Sequence, residues 1–143
     1  GVDNVYPISE VLGTPMDEVY IGSCTNGSLE DLKAAADILR GKKVANHVRV
    51  IVVPATNTVF KEAIEKGYIK DFIEAGCVIS HPCCGLCCGM PYGLMYDDER
   101  ILLTANRNFI GRQGTKKTLG YLSSPAVAAA TALTGVVTDP RTL

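Results

Sequence analysis

The sequence predicts an α/β domain, a three-layer α/β/α arrangement with helices packed around a mostly parallel sheet. Three observations carry this expectation. Strand-like apolar runs alternate with segments of helical periodicity along most of the chain. One run, VRVIVV at 48–53, is β-branched with a single charge, the pattern of a strand buried on both faces. The length of 143 residues, 47% of them apolar and 20% charged, suffices for one domain with its own core.

Taken in order, Glu18–Gly22 reads as the first strand and runs into the polar turn Ser23-Cys24-Thr25-Asn26-Gly27. Ser28 then caps a helix, with Asp31 in the capping-box position three residues on. Leu29, Leu32, Ala36 and Leu39 recur there at helical spacing, and Gly41 stops the helix. The run 48–53 is the second strand, ended by Pro54. Helices are expected over 56–66 and Tyr68–Ala75, ended by Gly67 and Gly76. Residues 77–80 form a short strand leading straight into Cys83-Cys84-Gly85-Leu86-Cys87-Cys88, and a further strand follows at 100–104. The polar, glycine-bearing stretch 111–121 reads as a loop. Ser124-Pro125 opens an alanine-rich helix, with the hydroxyl at N-cap and proline at N1, that ends at Gly135. Residues 136–138 read as a last short strand. No repeat, low-complexity tract or linker divides the chain, so 1–143 is read as a single domain.

Composition sets limits on function. A net charge of −1 argues against a broad electrostatic hold on nucleic acid or an anionic membrane. Aromatic residues are 6% and tryptophan is absent, which disfavours a stacking platform for single strands. No apolar run approaches the roughly 20 residues of a bilayer span. Gly1 opens the sequence without a basic n-region or an apolar h-region, so no targeting signal is expected and a cytoplasmic protein is.

The cysteines stand out. Of six, four fall within 83–88, with Cys24 and Cys77 elsewhere. A disulfide framework would spread its cysteines to staple distant loops; crowded thiols point instead to metal ligation or redox chemistry. Cys84-x-x-Cys87 puts two sulfurs on one turn. Ligands of parallel sheets gather beyond the carboxyl ends of the strands, and Cys24, Cys84, Cys87 and the stretch after Thr104 all follow predicted strands. They are expected to meet on one rim. An iron–sulfur cubane held by three thiolates would leave one iron open as a Lewis acid. Downstream, Asn106-Arg107-Asn108-Phe109-Ile110-Gly111-Arg112 offers two guanidiniums, which suit carboxylates, and two amides. Two rivals remain at this point: a zinc-binding structural module, and a thiol–disulfide oxidoreductase using Cys84 and Cys87.

Other residues have plainer readings. Cys77 lies in a strand as a small core residue, and His81 is a loop residue beside the cysteine turn. His47 reads as a solvated loop residue. Ser23, Thr25 and Asn26 suit a turn or a helix cap. Arg107 and Arg112 have the alternative of pairing with surface acids.

Four motifs in order carry a family resemblance: Ser23-Cys24-Thr25-Asn26, Cys84-Gly85-Leu86-Cys87-x-Gly89, Asn106-Arg107-Asn108-Phe109-x-Gly111-Arg112, and Ser124-Pro125 with its alanine-rich run. Together, over about 4–143, they resemble the aconitase superfamily. The nearest subgroup is the large subunit of 3-isopropylmalate dehydratase and its homoaconitase and 2,3-dimethylmalate dehydratase relatives. The resemblance implies an aconitase-like fold, a 4Fe–4S cluster on Cys24, Cys84 and Cys87, Asn106 beside that cluster, and Arg107 and Arg112 in the substrate pocket. It implies a hydro-lyase that removes water from a hydroxy di- or tricarboxylic acid and adds it back at the neighbouring carbon. The open iron takes the hydroxyl and a carboxylate, and a serine alkoxide on another domain or a small subunit takes the proton. That serine motif is not recognisable here, so no catalytic residue is assigned. The chain is expected to be the cluster-bearing fragment or split part of a longer large subunit, inactive alone. Cys83 and Cys88 flank the expected ligand pair where relatives usually carry other residues, and either is a candidate to substitute as ligand or to form a disulfide when the cluster is lost.

Overall fold

The computed structural model describes residues 4–89 and 92–143. Five strands form one sheet: β1 (Glu18–Gly22), β2 (Arg49–Val53), β3 (Val78–Ile79), β4 (Arg100–Leu103) and β5 (Leu119–Leu122). Their order is β3-β2-β1-β4-β5 and every pair is parallel. The chain thus winds outward from β1 in one direction through β2 and β3, then returns to the other side of β1 for β4 and β5. That reversal between β1 and β4 opens a crevice beyond their carboxyl ends, the usual ligand position in such sheets.

The strand sequences alternate between two interiors. Val19 and Ile21 of β1, Val50 and Val52 of β2 and Leu102 of β4 face the helices. Tyr20, Ile51, Val53, Ile101 and Leu103 face the other way, together with Leu86 and Met95 from the segment between β3 and β4. On the helix side, α3 (Leu29–Leu39) buries Leu32, Ala35, Ala36 and Leu39. The alanines of α6 (Pro125–Thr134) let it pack closely on α3 and β1. Helices α4 (Asn57–Glu65) and α5 (Tyr68–Ala75) carry the chain from β2 to β3. The opposite layer is thin: a 3-10 turn, Gly85–Cys88, and the loop after it.

The helix caps fall where the sequence puts them. Ser28 Oγ accepts from Asp31 N at 3.2 Å while Asp31 Oδ2 accepts from Ser28 N at 3.1 Å, closing the capping box. Ser124 Oγ accepts from Val127 N at the start of α6.

Some elements differ from the sequence reading. The end of the expected loop 111–121 is strand β5, an edge strand whose side chains are all at least partly exposed, so it lacks the apolar run that marks a buried strand. The expected strand at 136–138 is only a bridge: Val136 pairs antiparallel with Pro15, and Val137 exchanges backbone hydrogen bonds with Gly13 and Thr14. Two short helices, α1 (Ile8–Val11) and α2 (Ser23–Asn26), were not expected as helices.

Candidate functional site

The turn after β1 is shaped by backbone crowding. Gly22 has φ +111°, and a Cβ there would lie 2.0 Å from the carbonyl oxygen of Val53. Only glycine lets β1 end so close to β2. Ser23 follows in the left-handed region at φ 75°, fully buried, with its Oγ unpartnered among the described residues. Cys24 then emerges exposed on the single turn of α2.

Thr104, just past β4, fastens this turn. Its buried Oγ1 accepts from Gly22 N at 2.8 Å and its backbone N donates to Tyr20 O at 3.0 Å. Asn26 Nδ2 donates to the Thr104 carbonyl. Ser23 and Asn26, read from sequence as turn residues, thus have distinct parts: one holds strained backbone, the other ties the Cys24 turn to β4.

The second arm is the cysteine turn. Cys84 precedes the 3-10 turn, and Cys87 N donates to Cys84 O at 3.0 Å. Cys84 is exposed and Cys87 half-buried. Tyr20, fully buried on β1, donates its hydroxyl to Cys84 O at 3.2 Å. Burial, and then the thiol charges around it, raise the Tyr20 phenol, so it stays a donor. The Cys84 thiol is itself held above the usual thiol range, first by negative charge at Cys88, then by burial, then by charge at Cys24. The flanking cysteines have local partners: Cys83 Sγ lies 3.6 Å from Ser80 Oγ, and Cys88 Sγ donates to Gly85 O at 3.4 Å. Cys77 is buried, as expected of a core residue, and His81 stands edge-on to the Phe60 ring.

The third part is the loop after β4. Arg107 and Arg112 both stack on Phe109, 5.5 and 5.1 Å from its centroid. Among the described residues neither makes an ion pair, which leaves both guanidiniums available to an anion. Asn106 and Arg107 line an open groove with β5 and the start of α6. No hydrogen bond among the described residues joins Asn106 or the arginines to the cysteines.

A family model described as the aconitase family (aconitate hydratase) matches residues 4–135. The chain belongs to the aconitase family. It is 55% identical over 140 residues to 3-isopropylmalate dehydratase large subunit 1 of Archaeoglobus fulgidus, covering 98% of this chain and 34% of that protein. It is 50% identical to a probable 3-isopropylmalate dehydratase large subunit of Methanosarcina mazei, covering 98% and 33%. With the 3-isopropylmalate dehydratase large subunit of Nitratidesulfovibrio vulgaris the identity is 51%, over 99% and 34%. The chain thus spans about a third of the length of these curated relatives.

The donor chemistry of this aconitase-family chain, thiols on two turns joined through Tyr20, is of the kind that suits an iron–sulfur cluster. All six cysteines are free thiols, four of them exposed, and the unpartnered Ser23 Oγ lies beside Cys24. Among the described residues no three His, Cys, Asp or Glu side chains converge closely enough to close on one metal ion. Thiolates around a single zinc stand about 3.8 Å apart, given Zn–S bonds of about 2.3 Å. In a cubane each thiolate binds its own iron, so wider spacing is natural. Sequence reasoning missed Thr104 and Tyr20. A threonine ending an apolar strand and a tyrosine inside one carry no spacing signal; only the sheet order brings them to the two cysteine-bearing turns.

Proposed function

We propose that this chain is the cluster-bearing domain of a longer hydro-lyase large subunit, acting on a hydroxy di- or tricarboxylic acid such as 3-isopropylmalate. The observation that carries the reading is that the Cys24 turn and the Cys84–Cys87 turn, 60 residues apart in sequence, are linked at one sheet rim through Tyr20, which lies on the strand leading to Cys24 and donates its hydroxyl to Cys84 O. Kinship with dehydratase large subunits over nearly the whole chain supports the substrate class.

In this reading Cys24, Cys84 and Cys87 hold a 4Fe–4S cluster. When bound, the cluster supplies a Lewis-acidic iron, open because three thiolates serve four irons. Arg107 and Arg112, free of acidic partners among the described residues, bind substrate carboxylate through paired hydrogen bonds, with both guanidiniums resting against the Phe109 ring. Asn106 orients the cluster or the substrate hydroxyl. The proton acceptor comes from outside this chain, from the remaining large-subunit domains or from a small subunit carrying the catalytic serine. The relatives' printed designation as large subunits supports such a partner. A cytoplasmic location would suit four thiols crowded into residues 83–88, which a reducing compartment keeps from pairing.

Anaerobic reconstitution with iron and sulfide tests the reading. One oxygen-sensitive cluster per chain is expected, and Cys24→Ala, Cys84→Ala or Cys87→Ala should each abolish it. An unchanged iron and sulfide content in Cys24→Ala would overturn the three-thiolate assignment. Stoichiometric zinc without sulfide in protein purified without oxygen would replace it with a zinc module.

A further inference from the structure

We propose that Tyr20 is a positioning residue that holds the two metal-binding turns in one fixed relation. This rests on the cluster reading of Cys24, Cys84 and Cys87. Tyr20 sits on β1 four residues before Cys24, so its backbone is continuous with the first ligand turn. Its side chain leaves the sheet on the face opposite the helices and is fully buried there with Leu86, which belongs to the second ligand turn. Its hydroxyl reaches the Cys84 carbonyl. One rigid side chain therefore spans from the strand that delivers Cys24 to the turn that delivers Cys84 and Cys87.

Gly85 shows how closely the turn is fitted to that hydroxyl. It has φ +49°, and a Cβ at this position would stand 2.6 Å from Tyr20 Oη but 3.3 Å from the ring carbons Cε2 and Cζ. The turn is seated on the oxygen itself. The hydroxyl fixes the depth of the turn, and the ring fills the space beneath it. A phenylalanine would preserve the filling and lose the depth stop. An apolar core role alone would make no use of the oxygen.

The test compares Tyr20→Phe with the parent chain. Hydrogen exchange in the cluster-free protein reads the turn through the amides of Cys87 and Gly89, which donate to Cys84 O and Leu86 O. Protection there should fall about fivefold, the ratio set by one neutral hydrogen bond, while amides of α3 keep theirs. In reconstituted protein the variant's cluster should bleach several-fold faster in air. A second pair separates the oxygen from the ring: Gly85→Ala should depress iron uptake, and Tyr20→Phe in the same chain should restore part of it, because the 2.6 Å obstacle is gone. Unchanged exchange at Cys87 and Gly89, an equal loss of protection in α3, or the absence of any rescue would each overturn the proposal. If the parent takes up no cluster, the cluster reading fails, and the exchange arm still decides whether Tyr20 holds the turn.

Discussion

The Glu18 carboxylate meets the Arg49 guanidinium at 2.8 Å across the β1–β2 pair, yet Glu18 is fully buried and its second oxygen has no partner among the described residues. Arg49 also grips Glu99 with two nitrogens, at 2.9 and 3.0 Å, and so ties the sheet to the segment that returns from the cysteine turn to β4. Two carboxylates thus share one guanidinium, and burial, opposed by Arg49, pushes the Glu18 carboxyl up to about 7.

Stability should therefore decline as pH rises through neutrality. Glu18 favours the proton in the fold, at about 7 against an ordinary 4.5. Its contribution is complete below pH 4.5 and is lost as pH passes 7, by about 3 kcal/mol at most. Glu18→Gln, a neutral mimic of the protonated acid, should match the parent in urea midpoint near pH 5 and exceed it near pH 8. A gap that stays constant across that range would show that Glu18 does not titrate there.

Thr104→Val should cost about 1–3 kcal/mol in denaturant titrations, because it leaves the buried Gly22 N–H without its acceptor while preserving shape. Thr104→Ser, which keeps the hydroxyl, should recover most of the loss. Equal midpoints for the valine and serine variants would remove the hydrogen bond from the account.

Cys77 should be the last thiol to react. It is buried, and burial pushes its thiol up to about 12. Brief alkylation of the native cluster-free chain, followed by peptide mass mapping, should label Cys24, Cys83, Cys84 and Cys88 and spare Cys77 until denaturant is added. Early labelling of Cys77 would mean that the strand edge around β3 opens readily.

Much of this architecture is written in short-range signals. The β-branched run before Pro54 could only be an inner strand, and Ser28 with Asp31 marked the start of α3 to the residue. Strand β5 escaped because an edge strand with one neighbour buries too little to need an apolar sequence; Leu119 and Leu122 remain nearly half exposed. At the candidate site, the cysteine spacing and the Asn-Arg motif stand out in the sequence because crowded thiols and paired guanidiniums are rare chemistry in a local window. Thr104 and Tyr20 were not. Their roles come from partners 82 and 64 residues away, and no window along the chain contains both ends.

The helices all lie on one side of the sheet, so Ile51, Val53, Ile101 and Leu103 are sheltered largely by the same stretch of chain that carries Cys84 and Cys87. The cysteine-bearing segment thus doubles as a roof over the smaller of the two apolar interiors. Oxidation of its thiols that lifts this segment would strip oily surface bare at the same stroke.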